Sequence, residues 1–134
     1  MSNLKILFND RNIYIKSRFA FDVSYQAILN YAIAQGYTLP SSAQRIKQNN
    51  LVVNLKNANY WNRFDSLAQF STDGDTNFAL IDWKRLSQMT AINSPIFTTN
   101  QGFKTNGTSS YINTNFNPSL NGVNYTQNSA GISA

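Results

Sequence analysis

The feature that most constrains this chain is the point at which its charges stop. Ten of its eleven Lys and Arg residues and all six of its acidic residues lie at or before Arg85. Beyond Arg85 only Lys104 is charged, in a stretch crowded with Asn, Ser, Thr and Gly. Helices of soluble proteins carry charge on their exposed face, whereas Asn, Ser and Thr with Gly turns suit strands and loops. The sequence therefore reads as α+β, with a helical first part and a β-rich second part. Phe97, Phe103, Tyr111, Phe116 and Tyr125, spaced through the second part, are its apolar anchors.

At 134 residues the chain suits one domain or two very small ones. A hydrophobic content of 42% with 13% aromatics is enough to bury a core. The acidic residues are all Asp, and there is neither Cys nor His. Disulfides, thiolate nucleophiles, Cys-based zinc sites and the commonest general base are thereby excluded, and no enzyme and no cofactor is expected. The formal net charge of +5 permits an anionic partner. Yet the basic residues are scattered, coming together only in pairs such as Arg45/Lys47 and Lys84/Arg85, so nucleic acid is not an expected partner. Asn9, Asp10 and Arg11 interrupt any secretory h-region, and no run of about eighteen apolar residues offers a membrane span. A soluble chain made in a cytoplasm is expected.

Alternation of Leu4, Ile6 and Phe8, then Ile13 and Ile15, then Phe19 and Phe21, reads as an extended arm or short strands over 1–21. Such an arm would lie along a neighbouring subunit or form a hairpin on its own domain. A helical unit is expected over 22–85. Its first helix has Asp22 or Ser24 as cap, an apolar side of Ala27, Ile28, Tyr31, Ala32 and Ala34, and Gly36 as its left-handed stop. Pro40 bars continuation and Ser41/Ser42 offers a new cap for a second helix from about Ala43 to Lys56. Ile46, Val53, Leu51 and Leu55 are its expected inward residues, although Asn49-Asn50 at its middle are poor helix formers. A short third helix is expected around Tyr60 to Ala68, anchored by Trp61, Phe64 and Leu67. Ser71 to Asn77 reads as a loop. Strands are expected at Ile96 to Thr99, Phe103 to Lys104, Ser110 to Thr114 and Asn124 to Gln127. Turns are expected at Gln101-Gly102, Asn106-Gly107 and Asn121-Gly122.

Few residues suggest chemistry. Asp73-Gly74-Asp75-Thr76-Asn77 resembles the opening of a calcium loop, but Phe78 and Lys84 stand where the required Gly and Glu would be. A solvated acidic turn is the expected reading, and no metal site is assigned. No pair among Asp10, Asp22, Asp65, Asp73, Asp75 and Asp82 stands out for glycosidic cleavage, so no catalytic residue is assigned. Tyr60, Trp61, Trp83, Tyr111 and Tyr125 could stack on a pyranose, although packing accounts for most aromatics of a small domain. Tyr111 and Tyr125 are kept as candidate glycan contacts. Asn106-Gly107-Thr108 and Asn124-Tyr125-Thr126 fit the glycosylation pattern, with no secretory route to use it.

The order of segments carries a resemblance. A helix ending Ala34-Gln35-Gly36-Tyr37-Thr38-Leu39 precedes Leu51-Val52-Val53-Asn54-Leu55-Lys56, and Trp61 follows that segment. Downstream come Gly102-Phe103-Lys104-Thr105-Asn106-Gly107-Thr108-Ser109-Ser110-Tyr111-Ile112-Asn113-Thr114 and then Phe116-Asn117-Pro118-Ser119. Over about 22–128 this resembles a module of bacteriophage tail-fibre and virion structural proteins. In that module a small helical unit precedes a β-sandwich similar to concanavalin- and laminin-G-like jelly rolls. Asn57-Ala58-Asn59-Tyr60 departs from the module's usual Gly-Leu lead-in to the tryptophan.

The resemblance implies that 86–134 is the start of a jelly-roll-like sandwich, and that the chain is a virion protein assembled in the host cytoplasm. It would anchor a homo-oligomeric fibre, a trimer by fibre analogy, to other virion or tail proteins. No catalytic residue comes with it. The alternative is a lectin-like, carbohydrate-binding module contacting a host surface glycan. A sandwich of this type takes about 100 residues, so the chain is expected to continue beyond Ala134 or to be completed by neighbouring subunits.

Overall fold

Asp22 sets the first helix. Its carboxylate accepts the Ser24 N–H at 2.8 Å and opens α1 (Val23–Ala34). The computed structural model describes residues 20–126, 128, 130 and 131, so the arm expected over 1–21 lies outside the described residues except for Ala20 and Phe21. Phe21 stands edge-on to Tyr25, with 5.4 Å between ring centroids.

Gly36, at φ 74°, ends α1 in the left-handed conformation a side chain disfavours. Its N–H donates to the Ile33 carbonyl and the Tyr37 N–H to the Ala32 carbonyl, satisfying two groups the helix leaves open. Tyr37 then folds back on Tyr31, at 6.5 Å between centroids. After Pro40, Ser41 accepts the Gln44 N–H and starts α2 (Ser42–Asn57). The end of α2 repeats the device with Asn59, φ 60°, in the glycine's place: Asn59 donates to Lys56 and Tyr60 to Leu55.

The inward side of α2 differs in part from the expected one, although Leu55 packs against the core as expected. Val52 and Gln48 are buried, while Ile46 and Leu51 face solvent. Hydrogen bonding sets this rotation. Gln48 Oε1 accepts the Tyr25 hydroxyl at 2.7 Å, and its Nε2 donates to Thr72 Oγ1 at 3.3 Å. The neighbouring Asn49 Oδ1 accepts the Asp22 N–H at 2.7 Å. The poor helix former at mid-helix therefore joins α2 to the start of α1.

The expected third helix is a single 3₁₀ turn, Trp61–Arg63, after which Phe64 is extended. The buried carboxylate of Asp82 explains the difference. It accepts the Ser66 hydroxyl at 2.6 Å and the Leu67 N–H at 3.3 Å, and the Leu67 carbonyl accepts the Trp83 N–H. A helix through 66–67 would turn these groups back into its own ladder.

Asp75 caps the short α3 (Thr76–Ala79), and a tight hairpin follows, with β1 (Ile81–Asp82) antiparallel to β2 (Ser87–Gln88). Together α1, α2, the 3₁₀ turn and this hairpin enclose the core: Tyr25, Ile28, Leu29, Ala32, Val52, Trp61, Phe78, Ile81 and Trp83. Full burial of one such aliphatic or Phe side chain stabilises by about 1.5–3 kcal/mol. Gly74 lies against this core, where an added Cβ would be 3.0 Å from the Thr38 carbonyl oxygen and 3.2 Å from Phe78. Gly74→Ala is therefore expected to destabilise by about 1–3 kcal/mol, read as a lower urea midpoint with unchanged slope.

Beyond residue 86 the strands are short and nested. β3 (Thr90–Ile92) pairs antiparallel with β6 (Tyr111–Asn113), placing Ile92 opposite Tyr111. Between them lies the hairpin of β4 (Ile96–Thr98) and β5 (Gly102–Lys104), with Phe97 opposite Phe103. Three of the expected strands are thus present, two of them shortened and the one at Phe103–Lys104 extended by Gly102. The described strands form three separate two-stranded antiparallel sheets.

The β4–β5 turn runs over 99–101, with Asn100 at φ 61° and Gly102 at φ 94°. Gly107, at φ 76°, bends the longer connection to β6. Asn121-Gly122 is not a hairpin turn: Asn121 closes a short helix, α4 (Pro118–Asn121), and Gly122 is extended. The last expected strand is not formed at Asn124 and Tyr125, whose N–H groups turn onto Asp65, and Gln127 lies outside the described residues.

The change in composition at residue 86 is crossed by hydrogen bonds. Arg85 donates to the Thr114 and Asn115 carbonyls at 2.6 and 2.9 Å, and Ser71 Oγ to the Asn100 carbonyl at 2.7 Å. The charged helical part and the charge-poor strands share one framework.

Candidate functional site

The start of α1, the end of α2 and the 3₁₀ turn meet at one corner. Lys56, in the last turn of α2, pairs with Asp22 at 2.6 Å and stands 5.9 Å from the Trp61 ring centroid. Lys84 sits closer to the ring, at 4.4 Å, and donates to the Trp61 carbonyl at 2.9 Å. Trp61 itself is almost fully buried. Beside it opens a recess of about 460 Å³ lined by Ser24, Lys56, Asn59, Trp61 and Asn62. Tyr60 flanks it, half exposed, with the Arg63 guanidinium 5.5 Å from its ring.

The electrostatics of this corner are uneven. Burial pushes the Lys84 ammonium below the ordinary lysine range, and repulsion from Lys56 adds to that, against the pull of Asp65 and Asp82. Among the described residues Lys84 has no carboxylate within ion-pairing distance. Burial pushes Asp22 up, but the bonds from Lys56 and the Ser24 N–H outweigh it and hold the carboxyl below its ordinary value.

All five described Asp residues bond to backbone. Asp73 accepts the Ser41 N–H at 3.0 Å, and Asp75 accepts those of Thr38 at 2.9 Å and Phe78 at 2.7 Å. The segment expected to be a solvated acidic turn is therefore a clamp on the α1–α2 connection. Among the described residues no group of three potential metal ligands converges. Asp82, fully buried, accepts from Ser66, Leu67, Lys84, Arg85 N–H and the Arg85 guanidinium.

Asp65 gathers the far end of the described chain. Its two oxygens accept the N–H groups of Val123, Asn124 and Tyr125 at 2.7–3.0 Å and the Asn124 carboxamide at 2.8 Å. Desolvation raises its pKa, but the N–H donors of Tyr125, Val123 and Asn124 outweigh that and leave it below the ordinary 3.8. The contribution of this clasp is complete above the ordinary carboxylate value and is lost as pH falls through the lower, folded one. The amide resonances of Val123, Asn124 and Tyr125 are expected to titrate together, with a midpoint below 3.8. In Asp65→Asn they are expected not to titrate.

The two candidate glycan contacts sit on different supports. Tyr111 is 53% exposed at the end of the β3–β6 ladder, whereas the Tyr125 ring leans edge-on against Phe116, 6.1 Å away. Trp83 is in the core, 5.9 Å from Tyr25. Asn106 and Asn124, the two glycosylation-pattern residues, both spend their side chains internally, the first on the Thr108, Ser109 and Ser110 N–H groups and the second on Asp65 and Asn62. Of the residues at this corner, only Tyr60 and Trp61 are marked by the sequence as candidate ligand contacts; Lys56, Asn59, Asn62 and Lys84 are not. Only the cap at Asn59 and the turn at Trp61 bring them to one corner.

These features define an α+β chain whose described carboxylates all accept backbone N–H groups and in which Ser24, Lys56, Asn59, Asn62 and Lys84 gather about Trp61. Compared with protein-family models, curated proteins and solved structures, the chain matches none.

Proposed function

We propose that this chain is a structural component of a bacterial virus particle, the anchoring part of a tail fibre or receptor-binding protein. In this reading the helical unit docks on other virion proteins. The β-rich part leads into a jelly-roll-like sandwich, in a homo-oligomer that fibre analogy makes a trimer. The observation that carries it is the use to which the motif residues are put. Gly36 ends α1, Leu55 and Trp61 close the helical unit, and Gly107 bends the chain ahead of β6. The residues behind the resemblance thus hold framework positions, and each of the five described carboxylates accepts at least one backbone N–H.

The test is the composition of purified particles of the virus that encodes the chain. Peptides from 22–128 are expected at a fixed copy number per particle, in a species whose intact mass also reports the length of the parent chain. Their absence from particles, with abundance in infected cells, would reject the proposal. The exposure of Tyr111 favours a second reading, a lectin-like module that touches host glycan directly. Glycan binding lost in Tyr111→Ala would support it.

A further inference from the structure

The recess at Trp61 has the chemistry of a ligand site that neither reading of the strands uses. Ser24, Asn59 and Asn62 line it, and none of their side chains has a hydrogen-bond partner among the described residues. A carboxamide both donates and accepts, as a hydroxyl does, so two carboxamides and a hydroxyl suit a ligand bearing several hydroxyls. A carboxylate or phosphate alone would need donors only. The lining also includes Lys56, and Lys84 stands on the same ring without an ion-pair partner among the described residues. Lys56 pairs with Asp22, whereas Asp65 and Asp82 act on Lys84 only from beyond ion-pairing distance, so its ammonium is open to a carboxylate from a ligand. Asn59 is placed by the backbone itself, because its φ of 60° is fixed by the helix cap.

We propose that this recess binds an acidic sugar unit, its hydroxyls on Ser24, Asn59 and Asn62 and its carboxylate toward Lys56 and Lys84. The site belongs to the helical unit and is independent of Tyr111 and Tyr125. It also does not depend on whether the chain is a virion component.

The probes are sodium glucuronate, glucose and sodium acetate, titrated into the full 134-residue chain with ¹H–¹⁵N resonances as readout. Glucuronate is expected to shift the Trp61 indole N–H and the Asn59 and Asn62 signals saturably in the millimolar range. Glucose should bind about tenfold more weakly, the equivalent of one charge-assisted bond, and acetate should give no saturable shift. Asn62→Ala, at an exposed side chain, and Asn59→Gly, which keeps the left-handed cap, should each weaken glucuronate binding and together abolish it. Signals distant from the corner report whether each variant is folded. No saturable shift at Trp61, or variants that bind like the parent, would overturn the proposal. Acetate binding as tightly as glucuronate would overturn it in favour of a simple carboxylate site, such as one for an acidic peptide. Equal binding of glucose would overturn the acidic part.

Discussion

Asp82→Ala is expected to destabilise the fold by about 3–5 kcal/mol, the range for breaking a buried charged pair from one side. The carboxylate is fully buried and accepts five hydrogen bonds, two from backbone N–H groups of its own turn, one from Leu67, one from Ser66 and one from Arg85. Its removal leaves the Arg85 guanidinium half-buried without its anion, and Arg85 also holds the 114–115 carbonyls and the Phe116 ring. Domains of this size are stable by only about 5–15 kcal/mol, so the variant should unfold at a much lower urea concentration. Asp82→Asn retains one acceptor oxygen and should fall between the two. Equal midpoints for the parent and Asp82→Ala would show that the carboxylate contributes nothing net.

Phe78→Ala should have a comparable effect, about 3–5 kcal/mol. The ring is fully buried at the start of the Phe78–Trp83 run that closes the core. The clamp that holds it is rigid on the opposite side: Gly74 is in close approach, and Asp75 fixes the Phe78 N–H at 2.7 Å while also binding Thr38. A site tied in this way cannot collapse around the missing ring, so the cavity cost should be near the upper part of the range. Calorimetry checks it. A shift of Tm no larger than that of an exposed control such as Ile46→Ala would refute the argument.

The helices were legible because their ends obey local rules. Asp22, Gly36, Pro40 and Ser41 act within one or two turns of where they stand, and their residue types alone announce it. The inward side of α2 was not legible, because Gln48 and Asn49 are polar and their partners, Tyr25, Thr72 and Asp22, lie 23, 24 and 27 residues away. Reading hydrophobic periodicity alone turned the helix toward Ile46 and Leu51. The acidic loop misled for the same reason: Asp73 and Asp75 answer N–H groups 32 and 37 residues earlier. Strands at Phe97, Phe103 and Ile112 could be placed from alternation and turn residues, but the nesting of β4–β5 inside β3–β6 depends on pairing that no single segment encodes. Of the recess, only Trp61 had a visible signal. Its amides are common residues in an Asn-rich chain, and the fold alone distinguishes them.

The two carboxylate nodes differ in reach along the chain, and that difference orders events during synthesis. All five bonds to Asp82 come from residues within 16 positions of it, whereas those to Asp65 come from 58 to 60 positions downstream. Chains emerge from the ribosome at about 5–20 residues per second, and local contacts form far faster than that. The helical pair with its buried Asp82 can therefore close while residues 123–125 are still being added. The Asp65 clasp must wait for them, so it is fastened only after the helical pair has had time to close.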